Sequence, residues 1–539
     1  MDKQASILIV DDDEHWCKEL VELLQKNGFH AEAACSVSQA LERMSTTLYH
    51  ILILDIRMKD DSDNKDGIQL LRELEERGLN KAIKVIMLSA YGTIEHVREA
   101  FIAYKVADFL SKDEANGPLL LDKVRQVFEK EVNINLSLEV RWQELGGLEQ
   151  VVTGLKVDGT LVKPGTALQS QIAAELEDLF CRLFYQAKSI LVRPLTQGYS
   201  GMGVLRVQPF YASGGGGHNV VVKFGDFRKI EKEYRNFKKY VQPFLGGGRN
   251  TSAIDLRRTP HLGGIIYSLL GTINDQLVHF GDFYHRADVP RIKEILDRLF
   301  LDTCSVWYAN RGLLQPLDLA PDYQEMLGCT PEMLEKIVAE ELPSVQLTQS
   351  LIFTNLKAKR FFTNPLRRIS GLSLNRSTYL CITHGDFHQQ NLLVDSTGHV
   401  WMIDFQDTGQ SHILRDLATL DSTVRFQLLT AEKATLRERL SIEEILCTIE
   451  HFSQVEQLPT ILSTKNQTLA KAYATVVHLR TLAHRLVGQN PNNDMSEYNI
   501  ALLYNALNAV QFSSLSQTQR EHALLCASLL VDKLGLTRQ

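Results

Sequence analysis

The chain has no apolar run long enough to cross a bilayer, no paired cysteine motif and no strong charge of either sign. Each absence closes a class of function. A membrane-spanning helix needs about 20 consecutive apolar residues. The eight cysteines are scattered, with no C-x-x-C pair and no metal-ligand spacing, and read as reduced core thiols. A net charge of −7 gives no general attraction to nucleic acid or to an anionic membrane. The opening Met1-Asp2-Lys3-Gln4 enters a strand pattern directly, without the apolar stretch of a secretory signal. The expectation is a cytoplasmic protein with no membrane and no nucleic-acid partner. What is there is ordinary globular material, 44% apolar and 23% charged over 539 residues. That length suggests roughly three or four domain-sized units of about 150 residues.

The first 130 or so residues alternate strand and helix patterns. Ser6–Val10 is an apolar run that delivers Asp11, Asp12 and Asp13. Trp16, Leu20, Leu23 and Leu24 share a face and predict a helix over 16–25. A strand over 31–34 and a helix over 37–44 follow. Buried strands at 51–54, 85–88 and 107–110 then deliver Asp55, Ser89 and Lys112, and a last helix is expected over 118–131. This alternation predicts a doubly wound parallel sheet whose strand ends share one ligand-binding edge. Bare, Asp11, Asp12 and Asp55 repel one another. A divalent cation relieves the repulsion and leaves Asp55 free to attack a phosphoryl donor. Lys112 pairs with phosphoryl oxygens and the Ser89 hydroxyl hydrogen-bonds one of them. Taken singly, Phe109 and Ser89 read equally as a core aromatic and a turn serine.

The set resembles the receiver domain of two-component response regulators. The resemblance implies a flavodoxin-like α/β domain over 1–131, with Asp55 as phosphoacceptor and Asp11, Asp12 and Asp55 as Mg²⁺ ligands. It also implies Ser89, Phe109 and Lys112 as the switch residues, and an upstream histidine kinase or small phosphodonor. Two departures stand out. Lys112-Asp113 replaces the family's Lys-Pro, and the loop over 59–67 is longer than usual and acidic. That loop reads either as solvated or as tuning metal or partner access.

Residues 132–190 match no motif and read as a helical linker, with turn signals at Gly146-Gly147 and Pro164-Gly165. The stretch 169–187 is amphipathic, with Ile172, Leu176, Leu179, Phe180, Leu183 and Phe184 in one stripe. It either packs on the next domain or serves as a coupling or homodimer helix.

A strand-loop-strand pattern over 192–207 surrounds Gly198, Gly201 and Gly203. Glycines there let backbone N–H groups approach phosphates, although a plain hairpin turn explains the spacing as well. The strand over 219–224 carries Lys223 in V-V-V-K, and the helix over 229–241 carries Glu231 and Glu233. One of the two pairs with Lys223, since a desolvated lysine without a carboxylate is costly. Gly214 to Gly217 reads as a hairpin tip, and 264–271 as a strand entering a hinge.

The densest constellation is T-H-G-D-F-H-Q-Q-N from Thr383 to Asn391, followed by Met402-Ile403-Asp404-Phe405. It reads as a loop between strands 379–382 and 391–394, with a strand over 400–403 delivering Asp404. Each Asp alone reads as a helix cap or turn residue. Together and in order, two carboxylates and an amide suit metal-assisted phosphoryl transfer.

H-G-D-x-H-x-x-N with a following h-h-D-F resembles the aminoglycoside phosphotransferase and choline kinase group, which has the protein-kinase-like fold. The resemblance implies a two-lobed α+β domain over 191–539, with a nucleotide lobe at about 191–275 and a helical lobe at about 276–539. It implies Asp386 as catalytic base and Asn391 and Asp404 as Mg²⁺ ligands. It places Lys223, held by Glu233, on the phosphates of ATP beneath Gly198, Gly201 and Gly203. His388 stands where protein kinases have a lysine, which points to a hydroxyl-bearing small-molecule substrate. Arg415-Asp416-Leu417-Ala418 resembles the family's D-L-A helix start, whose Asp braces the catalytic loop. Helical patterns over 290–308 and beyond Asp421 supply the second lobe. His451, His478 and His484 on these helices read as ordinary surface or core histidines. The expectation is therefore a receiver-regulated, ATP- and Mg²⁺-dependent phosphotransferase. Its rival is a phosphorylation-gated binding module whose kinase-like domain is inactive.

Overall fold

In the computed structural model the described residues are 4–56, 58, 66–89, 94–113, 115, 117–143, 147–195, 201–245, 251–269, 277–356, 360–459, 462–487 and 494–536. The chain divides into two compact units, Met1–Tyr234 with Ser252–Ile273, and Arg235–Thr251 with Asn274–Gln539.

Among the described residues the first unit holds two large sheets, besides the short pair Lys156–Val157 with Thr160–Leu161. The N-terminal one is built from β1 (Ser6–Val10), β2 (His30–Ala34), β3 (Ile51–Asp55), β4 (Lys84–Ser89) and β5 (Asp108–Ser111), in the order β2-β1-β3-β4-β5. All its pairings are parallel. The helices between them are α1 (Glu14–Lys26), α2 (Val37–Thr46), α3 (Asp66–Glu76), α4 (Ile94–Ala103) and α5 (Gly117–Val127). Near-continuous apolar strands are what a sheet covered on both faces requires. Leu8, Val10, Leu52 and Leu54 enter one core, while Ile7, Ile9, Ile51 and Ile53 enter the other. Such a doubly wound order gathers the strand C-termini at one edge. Asp13 caps α1, accepting from the N–H groups of His15 and Trp16. The expected last helix over 118–131 ends earlier, at Val127, and runs into one wider turn, Phe128–Val132.

The other large sheet of this unit has six strands. They are β6 (Glu139–Trp142), β7 (Ser189–Pro194), β8 (Gly203–Phe210), β9 (Val220–Asp226), β10 (Thr251–Arg258) and β11 (Leu262–Leu269), ordered β10-β11-β9-β8-β7-β6. β9 is buried along its length. The segment 132–190, read from sequence as a linker, is built into this body. It supplies β6, which pairs in parallel with β7. It also supplies α6 (Ala167–Leu183), whose Ile172, Leu176, Leu179 and Phe180 share one core with Val192, Leu205 and Val222 of the sheet. α7 (Phe227–Asn236) follows β9.

The second unit combines short antiparallel pairs with long helices. β12 (Leu380–Thr383) pairs with β15 (Gly409–His412), and β13 (Leu392–Val394) pairs with β14 (Val400–Met402). The principal helices are α8 (Arg415–Ser422), α9 (Gln467–Val487), α10 (Ser496–Val510) and α11 (Gln517–Lys533). His478 and His484 lie on α9 as expected, but His451 does not lie within a helix. It caps a short 3₁₀ turn, Phe452–Gln457, and bridges Asp494. Among the described residues no helix is long and apolar enough to cross a membrane.

Candidate functional site

The edge of the parallel sheet gathers the acidic residues. Asp11 follows β1 and Asp55 ends β3, and both are buried, while Asp12 is exposed. Their carboxylate oxygens, with that of Asp12, lie within 4.8 Å of one another. Lys112, just past β5, bridges two of them, with Nζ at 2.6 Å from Asp11 and 2.7 Å from Asp55. Burial alone lowers an ammonium, but the bonds to Asp11 and Asp55 outweigh it, so Lys112 is raised above its ordinary value. Three hard carboxylates at this spacing fit an oxygen-coordinated divalent cation. Ser89 is the last residue of β4 and faces Ser111 in register. Phe109 is half-buried in β5 against the core. Gly67, which carries no assigned role in the motif, is what lets α3 start here. A Cβ on it would lie 2.2 Å from the Asp55 carbonyl oxygen.

In the six-stranded sheet, Lys223 sits in the fully buried β9 and donates to Glu233 of α7 at 2.7 Å. Glu233 accepts also from the Tyr267 hydroxyl of β11 at 2.7 Å. Glu231 turns elsewhere and pairs with Lys81. Gly198 lies outside the described residues, as does the expected hinge at Gly271. Gly201 has φ +68°, and its carbonyl accepts from Lys156 at 3.2 Å. Gly203 faces Phe224 in register, and a Cβ there would meet the Phe224 ring at 2.2 Å. That close packing accounts for this glycine by itself.

In the second unit, the loop after β12 holds Asp386. Gly385 has φ +86°, and a Cβ there would stand 2.2 Å from the Asp407 carbonyl oxygen. Only glycine takes that conformation in that space without strain. Asn391 donates through Nδ2 to the Asp386 carbonyl at 2.9 Å and carboxylate at 3.2 Å. His388 lies 3.5 Å from the same carboxylate. Desolvation raises the Asp386 carboxyl, but His388, His384 and Arg415 outweigh it and hold it at about 2. Asp404 follows Ile403, whose N–H donates to the Asn391 carbonyl at 3.0 Å. Asp404 takes φ 70°, a left-handed conformation that costs an L-residue about 1–2 kcal/mol. Such strain concentrates at functional sites.

Asp416, in the first turn of α8, is buried and braces this loop. It accepts from the N–H groups of His384 at 2.8 Å and Gly385 at 2.9 Å, and from the Tyr308 hydroxyl at 3.0 Å. Burial raises its carboxyl above the ordinary range despite these donors. His384 donates through Nε2 to the Ile403 carbonyl at 3.1 Å, tying the loop to the strand that delivers Asp404. Tyr267 and Tyr308 were not legible in the motifs; each reaches its carboxylate from more than 30 residues away.

The comparisons agree with this geometry at the front of the chain. Residues 7–125 match the response regulator receiver domain. The chain is similar to transcriptional regulatory protein ZraR of Escherichia coli (strain K12), 35% identical over 124 residues that make up 23% of this chain and 25% of that protein. It is also similar to photosynthetic apparatus regulatory protein RegA of Cereibacter sphaeroides, 29% identical over 143 residues, 26% of this chain and 74% of that one. The chain thus spans about a quarter of the length of the ZraR relatives. A receiver domain protein (CheY-like) from Methanospirillum hungatei JF-1 aligns with 23% identity and a TM-score of 0.22, over 24% of this chain and 96% of that chain. The N-terminal domain is a phosphorylatable receiver of the two-component type. Residues 187–350 and 358–511 match a second family, described as ternary complex associated domain 9. Since that match spans more than half of the sequence, the chain belongs to the ternary complex associated domain 9 family, with a receiver domain preceding the family's own region.

Proposed function

We propose that the chain is a receiver-regulated, ATP- and Mg²⁺-dependent phosphotransferase acting on a hydroxyl of a small molecule, with activity set by phosphorylation of Asp55. The observation that carries this reading is the braced loop, in which Asp386 is held by Asn391 and the backbone beneath it is fixed by Asp416. A carboxyl held at about 2 is ionised at neutral pH and is a weak base. That suits phosphoryl transfer, whose loose transition state asks more for an oriented acceptor hydroxyl than for early proton removal. Asp386 accepts the hydroxyl's hydrogen bond and, late in the reaction, its proton. Asn391 uses Nδ2 on Asp386, which leaves its amide oxygen, with the Asp404 carboxylate, as the groups that would hold Mg²⁺. Bound Mg²⁺ supplies neutralisation of the phosphate oxygens. Lys223, its ammonium oriented by Glu233, serves the nucleotide phosphates. The kinase-like fold and a cytoplasmic setting belong to the same reading.

The test is ATP consumption by wild type and Asp386→Asn in the presence of candidate hydroxyl acceptors. A loss of about 10²-fold or more is expected, and equal rates overturn the assignment. One observation favours a second reading. The family's description speaks of association in a ternary complex, which suits a receiver-gated binding module that holds nucleotide without turnover. Nucleotide binding in wild type with no ATP consumption under any acceptor decides for it.

A further inference from the structure

Within the first unit, the base of the parallel sheet meets α6, α7 and β10, and a cavity of about 160 Å³ lies there. Its wall carries Lys81, Lys84, Arg182, Arg257 and Arg258 against two carboxylates, Glu131 and Glu231. The carboxylates are already engaged. Lys81 pairs with Glu231, and Lys84 lies 3.6 Å from Glu131. Arg257 pairs with Asp255 at 2.9 Å and Arg182 with Asp178, so the excess positive charge of the wall rests on Arg258, whose Nε and Nη2 donate to the Thr259 and Pro260 carbonyls at 3.3 Å. Arg258 lies over the Phe227 ring at 3.7 Å. Burial lowers it to about 10, with Arg228 and Arg182 adding to that and Glu231 and Glu175 opposing it.

Arg182 is the decisive residue. It is 5% exposed and lines the cavity. Its Nε donates to Asp178 at 2.6 Å and its Nη1 to the Ala82 carbonyl at 3.1 Å. Its Nη2 has no hydrogen-bond partner among the described residues. An unmade bond on a buried guanidinium is costly, and such groups are ordinarily satisfied. The space is several times the roughly 10–15 Å³ that one water needs on this measure, enough for a phosphoryl or pyrophosphoryl group. Guanidinium forks match the geometry of phosphate oxygens.

We propose that this cavity is a binding site for a small phosphoanion, seated between the receiver and the six-stranded sheet and anchored by Arg182, Arg258 and Lys84. It is separate from the acidic edge at Asp55 and from Lys223, and it stands whether or not the chain turns over ATP. Because Lys81 and Glu231 form part of the wall, an anion there bears on the contact between the receiver and α7.

Isothermal titration calorimetry of the full chain with inorganic pyrophosphate, at low salt and with EDTA to strip divalent cations from the acidic clusters, tests the site. One equivalent is expected to bind. Lys84→Gln and Arg258→Gln should each weaken it at least tenfold. Glu231→Gln, which removes an opposing charge, should tighten it about threefold or more. Lys18→Gln, at an exposed position of α1 that takes no part in the wall, should leave it unchanged. Wild type that takes up no pyrophosphate, or an affinity indifferent to both Lys84→Gln and Arg258→Gln, overturns the proposal. Lys84 is a partly exposed strand-end lysine, so its variant reports even if Arg258→Gln fails to fold.

Discussion

Lys223 and Glu233 show what a single buried charge demands. The lysine is 2% exposed and its partner is fully buried. Glu233→Ala takes away the carboxylate that Lys223 meets at 2.7 Å in a dry sheet, so a loss of about 3–5 kcal/mol is expected. Lys223→Met with Glu233→Leu, which removes both charges, is expected to cost less than the single change. Urea midpoints at unchanged slope measure both. A loss below about 1 kcal/mol for Glu233→Ala would contradict the pairing. At this scale much was legible in the sequence, because Asp386, Asn391, Asp404 and Asp416 lie in short ordered motifs. The choice between Glu231 and Glu233 was not settled by the residues alone. It is fixed by which face of α7 meets β9, with Glu231 turned to Lys81. Gly203 has a packing reason that its motif does not carry, since the Phe224 ring lies against it.

α6 shows how an element can be half legible. Its apolar stripe is plain from spacing alone, and every member of it lies in the shared core. Its polar residues carry no such signal, yet Glu175, Asp178 and Arg182 are all buried. Their partners explain why no local pattern announced them. Asp178 meets His50 at 2.8 Å across 128 positions, and Glu175 takes Thr259 and His261 across 84 and 86. Four-residue β6 was missed for a simpler reason, since its partner β7 lies 50 residues on and supplies the pairing. The Asp178 contacts carry a pH dependence. Burial raises this carboxyl, but Arg182 and His50 outweigh it, so it is held well below the ordinary 3.8 in the folded state. A depressed carboxyl contributes stability that is fully present above its unfolded value and disappears as pH falls through the folded one. The stability gap between wild type and Asp178→Asn is therefore expected to be constant from pH 7 to about 5 and to narrow progressively below about 4. Urea titrations of both proteins at each pH measure the gap; one that widens below pH 4 reverses the sign of the argument.

At the scale of the whole first unit, β3 runs from the side that meets α6 to Asp55, the proposed phosphoacceptor. Asp55 ends β3, and His50 stands immediately before its start. His50 accepts from the Ser6 N–H at 2.9 Å through Nδ1 and meets Asp178 through Nε2. Arg182 on the same helix holds the Ala82 carbonyl, and next to it Lys81 pairs with Glu231, two residues from Glu233 in α7. Phosphorylation of Asp55 replaces a carboxylate of one negative charge, bridged to Asp11 by Lys112, with a phosphoryl group of about two, so the bridge must redistribute. A redistribution worth about 1.4 kcal/mol at the far end of the path shifts an opening equilibrium tenfold. Beryllofluoride, which mimics the phosphoryl group, is therefore expected to change hydrogen exchange of amides in α7 of the wild-type chain by several-fold. In His50→Gln the change in α7 should vanish, while exchange around β3 still reports that the mimic has bound. An unaltered α7 in wild type, or an equal response in His50→Gln, would show that the signal leaves the receiver by another route than the His50–Asp178–Arg182 contact.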